Sequence, residues 1–195
     1  KTAYQAEARS MAKLICSNTG RNLVRLFFLQ NKMKSQFKKI EADIHNIHVI
    51  GAGVMGGDIA SWCALKGLNV TLQDRSLEDI EPAIQRCKIL FEKKIKDEEK
   101  RKNAHSRLEV DINGEGISNA DLIIEAIFEN KKAKKDLYKK IEHKMKPSAI
   151  LATNTSSILL EDLRSDLAQP EKFIGIHFFN PVSQLPLVEI IKCDD

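Results

Sequence analysis

The chain has 195 residues, 43% of them apolar and 30% charged, with a net charge of +4 at neutral pH. That suffices for one sizeable packed domain with an appendage, and the charge imbalance is too small to call for a nucleic-acid partner. The four cysteines (Cys16, Cys63, Cys87, Cys193) are scattered without a C-x-x-C pair and the histidines do not cluster, so reduced thiols and no metal site are expected; no run approaches the roughly 18 apolar residues of a membrane span, and no signal peptide is visible.

Residues 1–43 read as two helices, distinct in pattern from the rest of the chain. Tyr4, Ala8, Met11 and Ile15 recur at three- and four-residue steps, as one face of a helix does. Ser17-Asn18-Thr19-Gly20 interrupts the pattern, with Asn18 or Thr19 as the candidate cap of a second helix. That helix carries Leu23, Phe27, Phe28, Met33 and Phe37 on its apolar side. Such faces need cover, so they are expected to pack on the rest of the chain, on a second copy, or on a preceding domain.

Ile47-His48-Val49-Ile50 is a β-branched strand that runs into Gly51-Ala52-Gly53-Val54-Met55-Gly56, and a helix comes next over 57–65. Strand, G-x-G-x-x-G and helix in that order suit a dinucleotide pyrophosphate. Gly51 would take the tight turn, Gly53 would admit the phosphates, and Gly56 would let the helix sit close to its strand. The helix N-terminus offers unpaired N–H groups and partial positive charge. The next strand, Asn69-Val70-Thr71-Leu72-Gln73-Asp74, ends in an acid near the spacing expected of a carboxylate that grips a ribose.

Residues 77–103 predict one long charged helix with Ile80, Ala83, Ile84, Cys87, Leu90 and Phe91 as its buried stripe, and with Pro82 near its start, where proline is tolerated. A short strand is expected at 108–110 and a better one at 120–126. A lysine-rich helix spans roughly 130–145 and stops at Pro147. Strands at 149–153, 173–179 and 187–191 come after it, with a helix near 159–167 between the first two. Strands alternating with helices give an α/β fold, a Rossmann-type doubly wound and mostly parallel sheet, here with an N-terminal helical lead-in. The domain division is a helical segment over 1–43 and the nucleotide domain over 44–195. Ligands of such sheets lie beyond the carboxyl ends of the strands. The polar residues to question are therefore the turn 51–56, Asp74, the stretch Ile127-Phe128-Glu129, Asn154-Thr155-Ser156, and His177 with Asn180.

His177 sits in an apolar strand, where a lone histidine is commonly a satisfied core residue. Glu189 is the one acid in the apolar run Leu187-Val188-Glu189-Ile190-Ile191, and a carboxylate there is expensive unless paired. A His–Glu pair would resolve both oddities and yield an oriented general base; the other reading has Glu189 pointing outward from a half-exposed strand. Asn154-Thr155-Ser156-Ser157 reads either as a turn and helix cap or as hydrogen-bonding groups for a ligand. Both can hold. The lysines of 131–140 read as a solvated helical face, with a phosphate-rich ligand such as coenzyme A as the alternative.

Five motifs together resemble the NAD-binding half of the 3-hydroxyacyl-CoA dehydrogenases over about residues 46–193. They are Gly51-Ala52-Gly53-Val54-Met55-Gly56-Gly57, then Glu125-Ala126 with Glu129 and Lys134, and Thr153-Asn154-Thr155-Ser156-Ser157. After these come His177-Phe178-Phe179-Asn180-Pro181-Val182 and Pro186-Leu187-Val188-Glu189-Ile190-Ile191. The helical lead-in is similar to the linker helix of the multifunctional fatty-acid oxidation alpha subunits, where an enoyl-CoA hydratase domain comes first. The chain then reads as a fragment of such a protein.

The resemblance implies that His177 takes the proton of the substrate 3-hydroxyl as hydride leaves C3 for the nicotinamide of NAD. It implies that Glu189 stabilises the imidazolium and that Ser156 bonds the reacting oxygen or the cofactor amide. The cofactor contacts it implies are Gly51, Gly53, Val54, Met55, Gly56, Asp74, Ile127, Phe128, Glu129, Lys134, Asn154, Ser156 and Asn180. It further implies a 3-hydroxyacyl-CoA substrate, a thiolase beta subunit as a partner of the whole complex, and a homo-oligomer. The compartment would be the cytoplasm of a bacterium, or the mitochondrion or peroxisome of a eukaryote. Asp74 should disfavour a 2′-phosphate and so favour NAD over NADP, though Arg75 beside it could accommodate one.

Two departures stand out. Asp58 occupies a position where similar proteins often carry a small residue, and it brings negative charge near the pyrophosphate. The family's helical second domain, which supplies dimer contacts and much of the acyl pocket, is expected to be missing, so the fragment alone should turn over little. The competing readings are a 2-hydroxyacid or sugar-nucleotide dehydrogenase, which the His-Phe-Phe-Asn-Pro motif disfavours, and a non-catalytic NAD-binding relative.

Overall fold

The computed structural model describes residues 2–36, 43–185 and 187–193. The chain divides into two compact units, Lys1–Ala42 and Asp43–Asp195. In the first, α1 (Thr2–Cys16) packs against α2 (Asn18–Gln36). Ser17 alone separates them. Its hydroxyl accepts the Gly20 N–H at 3.0 Å and donates to the Leu14 carbonyl at 2.6 Å. The cap is thus Ser17 rather than Asn18 or Thr19, because the residue just before a helix is the one whose side chain reaches the third helical N–H. No residue of α1 is buried, and Tyr4, Met11, Phe27 and Phe28 are exposed. Phe37, counted on the second helix, lies outside the described residues, as does Pro186.

The second unit is built on seven strands: β1 (Asn46–Ile50), β2 (Asn69–Gln73), β3 (Leu108–Val110), β4 (Leu122–Glu125), β5 (Ile150–Thr153), β6 (Phe173–Phe178) and β7 (Val188–Lys192). Their order in the sheet is β3-β2-β1-β4-β5-β6-β7. All neighbours are parallel except β6 and β7, which run antiparallel. The doubly wound, mostly parallel sheet expected from the sequence is present, and the order reverses between β1 and β4. Alternate side chains of these strands enter two cores. Ile47, Val49, Leu72 and Ile124 pack with α3 (Val54–Leu65) and α4 (Leu77–Lys94). Ile50, Ile123 and Leu151 pack with Tyr138 and Ile141 of α6 (Lys131–Ile141) and Leu163 of α7 (Leu160–Arg164).

The single helix expected over 77–103 is two, α4 and α5 (Glu98–His105). Ile95 turns extended after α4, and Asp97 then accepts the Lys100 N–H at 2.8 Å to open α5. Beyond Phe91 only Ile95 interrupts the charged run before Asp97, and the local Asx cap wins over a continuing helix. The helix near 159–167 is a single short turn of five residues, and the lysine-rich helix tightens into a 3-10 turn at Glu142–Lys144. Among the described residues no helix is long and apolar enough to cross a membrane.

Candidate active site

The carboxyl ends of β1, β4 and β5 are brought level, with Ile50 beside Glu125 and Glu125 beside Thr153. Directly past Ile50, Gly51 has φ +104°, a left-handed conformation that favours glycine, and a β-carbon there would sit 2.6 Å from the Ala126 carbonyl oxygen. Its N–H donates to the Gln73 carbonyl at 2.8 Å, which ties the turn to β2. A β-carbon on Gly56 would collide with the Gly51 carbonyl oxygen. Gly53 differs from both. It immediately precedes α3, no side chain caps the helix, and a β-carbon on it would meet nothing within 4 Å. The first turn of α3 is therefore left without a side-chain cap and with open space beside Gly53, which suits an anion.

Asp74 leans onto this turn. Its Oδ2 accepts the Ala52 N–H at 2.6 Å and its Oδ1 accepts the Arg75 N–H at 2.8 Å. Gly53, Asp74, Arg75, Ile127 and Phe128 line a cavity of about 660 Å³ on one side of the turn. On the other side, Met55, Glu129, Asn154, Ser156, His177 and Asn180 line one of about 360 Å³. Ala126 and Ile127 border both, so the two cavities flank the point where the strand order reverses. A third, of about 410 Å³, lies against Leu159, Glu189 and Ile191 and meets the second at Ser156 and His177.

His177 and Glu189 stand directly opposite each other in the β6–β7 ladder. The imidazole Nδ1 lies 3.0 Å from Glu189 Oε2, and the ring packs on Phe179 with centroids 4.5 Å apart. Facing positions of an antiparallel pair put both side chains on one face, so Glu189 meets the histidine rather than pointing away from it. Asn154, at the end of β5, accepts the Phe178 N–H at 2.9 Å and fixes the neighbouring end of β6.

Beneath the second cavity is a buried network centred on Glu125, which is 0% exposed. One carboxylate oxygen accepts from Lys134 Nζ at 2.6 Å and from the Ile127 N–H at 2.7 Å. The other accepts from the Tyr138 and Thr153 hydroxyls, each at 2.7 Å. Lys134 is 1% exposed and also faces Glu129 at 3.4 Å. Glu129 in turn accepts the Thr155 hydroxyl, the Ser157 hydroxyl at 3.0 Å, and the Ser156 and Ser157 N–H groups at 3.3 Å. Burial works to raise the Glu129 carboxyl, but the Thr155 and Ser157 hydrogen bonds and the Lys134 charge hold it below the ordinary range. Burial, then the Glu125 charge, push the Tyr138 hydroxyl up.

The structure thus gathers Gly51, Gly53, Met55, Asp74, Ile127, Phe128, Glu129, Asn154, Ser156, His177 and Asn180 around two adjoining cavities. Glu189 reaches the site from the third. Val54, half exposed at the start of α3, and Lys134 line neither of the first two. Sequence reasoning did not single out Glu125, Tyr138 or Thr153 as a network. The signal was present, since Glu125 closes a buried apolar strand, whereas Glu189 interrupts an apolar run whose residues are all exposed. Most of the basic helix is engaged with carboxylates: Lys131 with Asp162 at 2.9 Å, Lys132 with Asp136 at 2.6 Å, and Lys135 and Lys139 with Asp166 at 2.9 and 3.0 Å. These lysines form an ion-paired outer face.

A doubly wound sheet with a glycine turn at its reversal point and an acid past the second strand is the architecture of a dinucleotide-binding domain. Residues 46–195 match the family model of the 3-hydroxyacyl-CoA dehydrogenase, NAD binding domain, and the chain belongs to that family. NAD is accordingly the cofactor of the domain, and the open space at Gly53 and the acid at Asp74 fit it. The chain is 34% identical, over 97% of its length, to the fatty acid oxidation complex subunit alpha of Pseudomonas entomophila (strain L48), and spans 28% of that protein. Among solved structures, 3-hydroxybutyryl-CoA dehydrogenase from Escherichia coli K12 superposes with a TM-score of 0.73 at 32% identity, covering 76% of this chain and 32% of that one. The (S)-3-hydroxybutyryl-CoA dehydrogenase of Ralstonia eutropha gives 0.71 at 33% identity, over 76% and 54%.

Proposed function

We propose that the protein to which this chain belongs oxidises (3S)-3-hydroxyacyl-CoA to 3-oxoacyl-CoA with NAD, and that His177 is its general base. The observation that carries this is the 3.0 Å contact of His177 Nδ1 with Glu189 where two cavities meet beside the glycine turn. A carboxylate only accepts hydrogen bonds, so Nδ1 holds the proton and Nε2 presents its lone pair to the substrate. The 3-hydroxyl gives its proton to Nε2 while C3 loses hydride, and the C3–O bond becomes a carbonyl. Glu189 stabilises the imidazolium, which then returns its proton to water. Bound NAD supplies the hydride acceptor. Ser156 hydrogen-bonds the reacting oxygen or the cofactor amide.

Gly51, Gly53, Val54, Met55 and Gly56 form the pyrophosphate cradle, and Asp74 takes the adenosine ribose and repels a 2′-phosphate. Ile127, Phe128, Glu129, Asn154 and Asn180 line the rest of the path. Lys134, buried behind the cavity, acts on the cofactor through Glu129 rather than by touching it.

The likeness to a fatty acid oxidation complex alpha subunit supports the wider reading. Residues 1–43 then form a linker after a hydratase domain, and 44–195 form the NAD-binding domain. A thiolase beta subunit and a second copy are the expected partners, and the bacterial cytoplasm is the expected compartment. The test is an absorbance assay of the full-length protein with (3S)- and (3R)-3-hydroxybutyryl-CoA and with NAD or NADP. Reduced nicotinamide should form fastest with the 3S substrate and NAD. No reduction with any pairing would overturn the proposal.

A further inference from the structure

We propose that Arg86 is a positioning residue for the cofactor pyrophosphate, acting through its hold on the Gly53 carbonyl and its neutralisation of Asp58. The inference rests on reading the turn 51–56 as the phosphate cradle. Asp58 lies in the second turn of α3, close behind the uncapped start of the helix and the open space at Gly53. An uncompensated carboxylate there would oppose an incoming diphosphate and offset the positive end of the helix.

Arg86, on α4, supplies the compensation. Its Nε donates to Asp58 Oδ1 at 3.0 Å, and its Nη2 donates to the Gly53 carbonyl at 2.9 Å. The guanidinium also rests against Gly57, where a β-carbon would lie 2.7 Å from Nη2 and 2.5 Å from the Ala83 β-carbon. One planar fork thereby holds a charge and a peptide at once.

The peptide matters most. The Gly53 carbonyl and the Val54 N–H belong to one trans peptide unit and point in opposite directions. The carbonyl is fixed from inside the helix by the Gly57 N–H at 3.0 Å and from α4 by Arg86. With the carbonyl pinned, the Val54 N–H is aimed away from α4 and out of the helix end, toward the open side. Arg86 does this without entering the cavity that holds Asp74.

Calorimetric titration of the protein with NAD, ADP-ribose and adenosine tests the assignment, because adenosine lacks the pyrophosphate. Arg86→Ala should weaken NAD and ADP-ribose by roughly fivefold to tenfold, the scale of one partly screened charge beside an anion, and adenosine by less than about twofold. Adding Asp58→Asn to that variant should regain most of the loss. Asp58→Asn alone, which leaves the guanidinium on the turn, should tighten NAD and ADP-ribose and so serves if Arg86→Ala fails to fold. Equal losses for adenosine and ADP-ribose, or parent-like NAD affinity in both single variants, would overturn the role of Arg86. A parent protein that binds neither NAD nor ADP-ribose would instead overturn the cradle reading, and this inference with it.

Discussion

Replacing Lys134 with Met isolates the buried network beneath the site. Lys134 and Glu125 are 1% and 0% exposed and their charged atoms lie 2.6 Å apart. Removing one member of such a pair strands the other in a medium that solvates it poorly, at a cost of about 3–5 kcal/mol. Glu125 keeps the Ile127 N–H and the Tyr138 and Thr153 hydroxyls as donors. These stabilise the remaining charge and place the expectation at the lower end, about 3 kcal/mol out of a domain stability of roughly 5–15 kcal/mol. Glu125→Gln on top of Lys134→Met removes the stranded charge, and both hydroxyls can rotate to accept from the new amide. The double variant should therefore be more stable than Lys134→Met alone. Urea unfolding followed by circular dichroism reads both quantities as midpoint shifts at constant slope. A loss below about 1 kcal/mol in the single variant, or no recovery in the double, would refute the claim that this pair is buried and mutually dependent.

The same geometry makes three further outcomes measurable. Asp74→Ala should weaken NAD and narrow its advantage over NADP in calorimetric titration, since it removes the proposed ribose acceptor and leaves the Ala52 N–H without its 2.6 Å partner; affinities equal to the parent would count against the ribose contact. Gly53→Ala should leave the unfolding midpoint in place, because its β-carbon meets nothing within 4 Å, yet impair NAD binding, whereas Gly51→Ala should destabilise the fold by about 1–2 kcal/mol or more through its left-handed backbone and the close Ala126 carbonyl. His48 is fully buried between the Thr71 hydroxyl at 2.7 Å and Gln73 Oε1 at 2.9 Å, and burial holds its imidazole below the ordinary range despite Gln73 and Asp111. The unfolded chain gains this proton as pH falls through about 6.5 and the folded chain does not, so stability should be lost as pH falls from about 7 toward 5. His105, shifted the same way, adds to that slope. His48→Gln should flatten the dependence of melting temperature on pH over this window, and an unchanged slope would contradict the assignment.

What the sequence made legible were positions where one residue type meets a local demand. Gly51 and Gly56 could be read because the backbone of the turn permits little else, and Gly53 because a phosphate needs the space a side chain would fill. His177 and Glu189 could be read because each was a polar anomaly in an apolar strand, and the antiparallel register resolved both at once. The same reasoning applied to Glu125 but needed Lys134, Tyr138 and Thr153 from two other elements to complete it. The break between α4 and α5 was hidden because charged residues continue through 92–102 with little interruption, and only the geometry of Asp97 distinguishes a cap from a helical aspartate. Asp58 looked like an unexplained departure because its partner, Arg86, lies 28 residues further on and on another helix. Long-range pairings of this kind leave no periodic trace in the chain.

The proposed role of His177 is to remove the substrate proton with an imidazole oriented by Glu189. Its most direct test is His177→Gln in the full-length protein, with hydride transfer from (3S)-3-hydroxybutyryl-CoA to NAD followed in single turnovers and NAD affinity measured beside it. Loss of a general base should slow transfer by roughly 10²–10⁴-fold while NAD affinity stays within about twofold of the parent. Transfer at a rate close to the parent's would contradict the account.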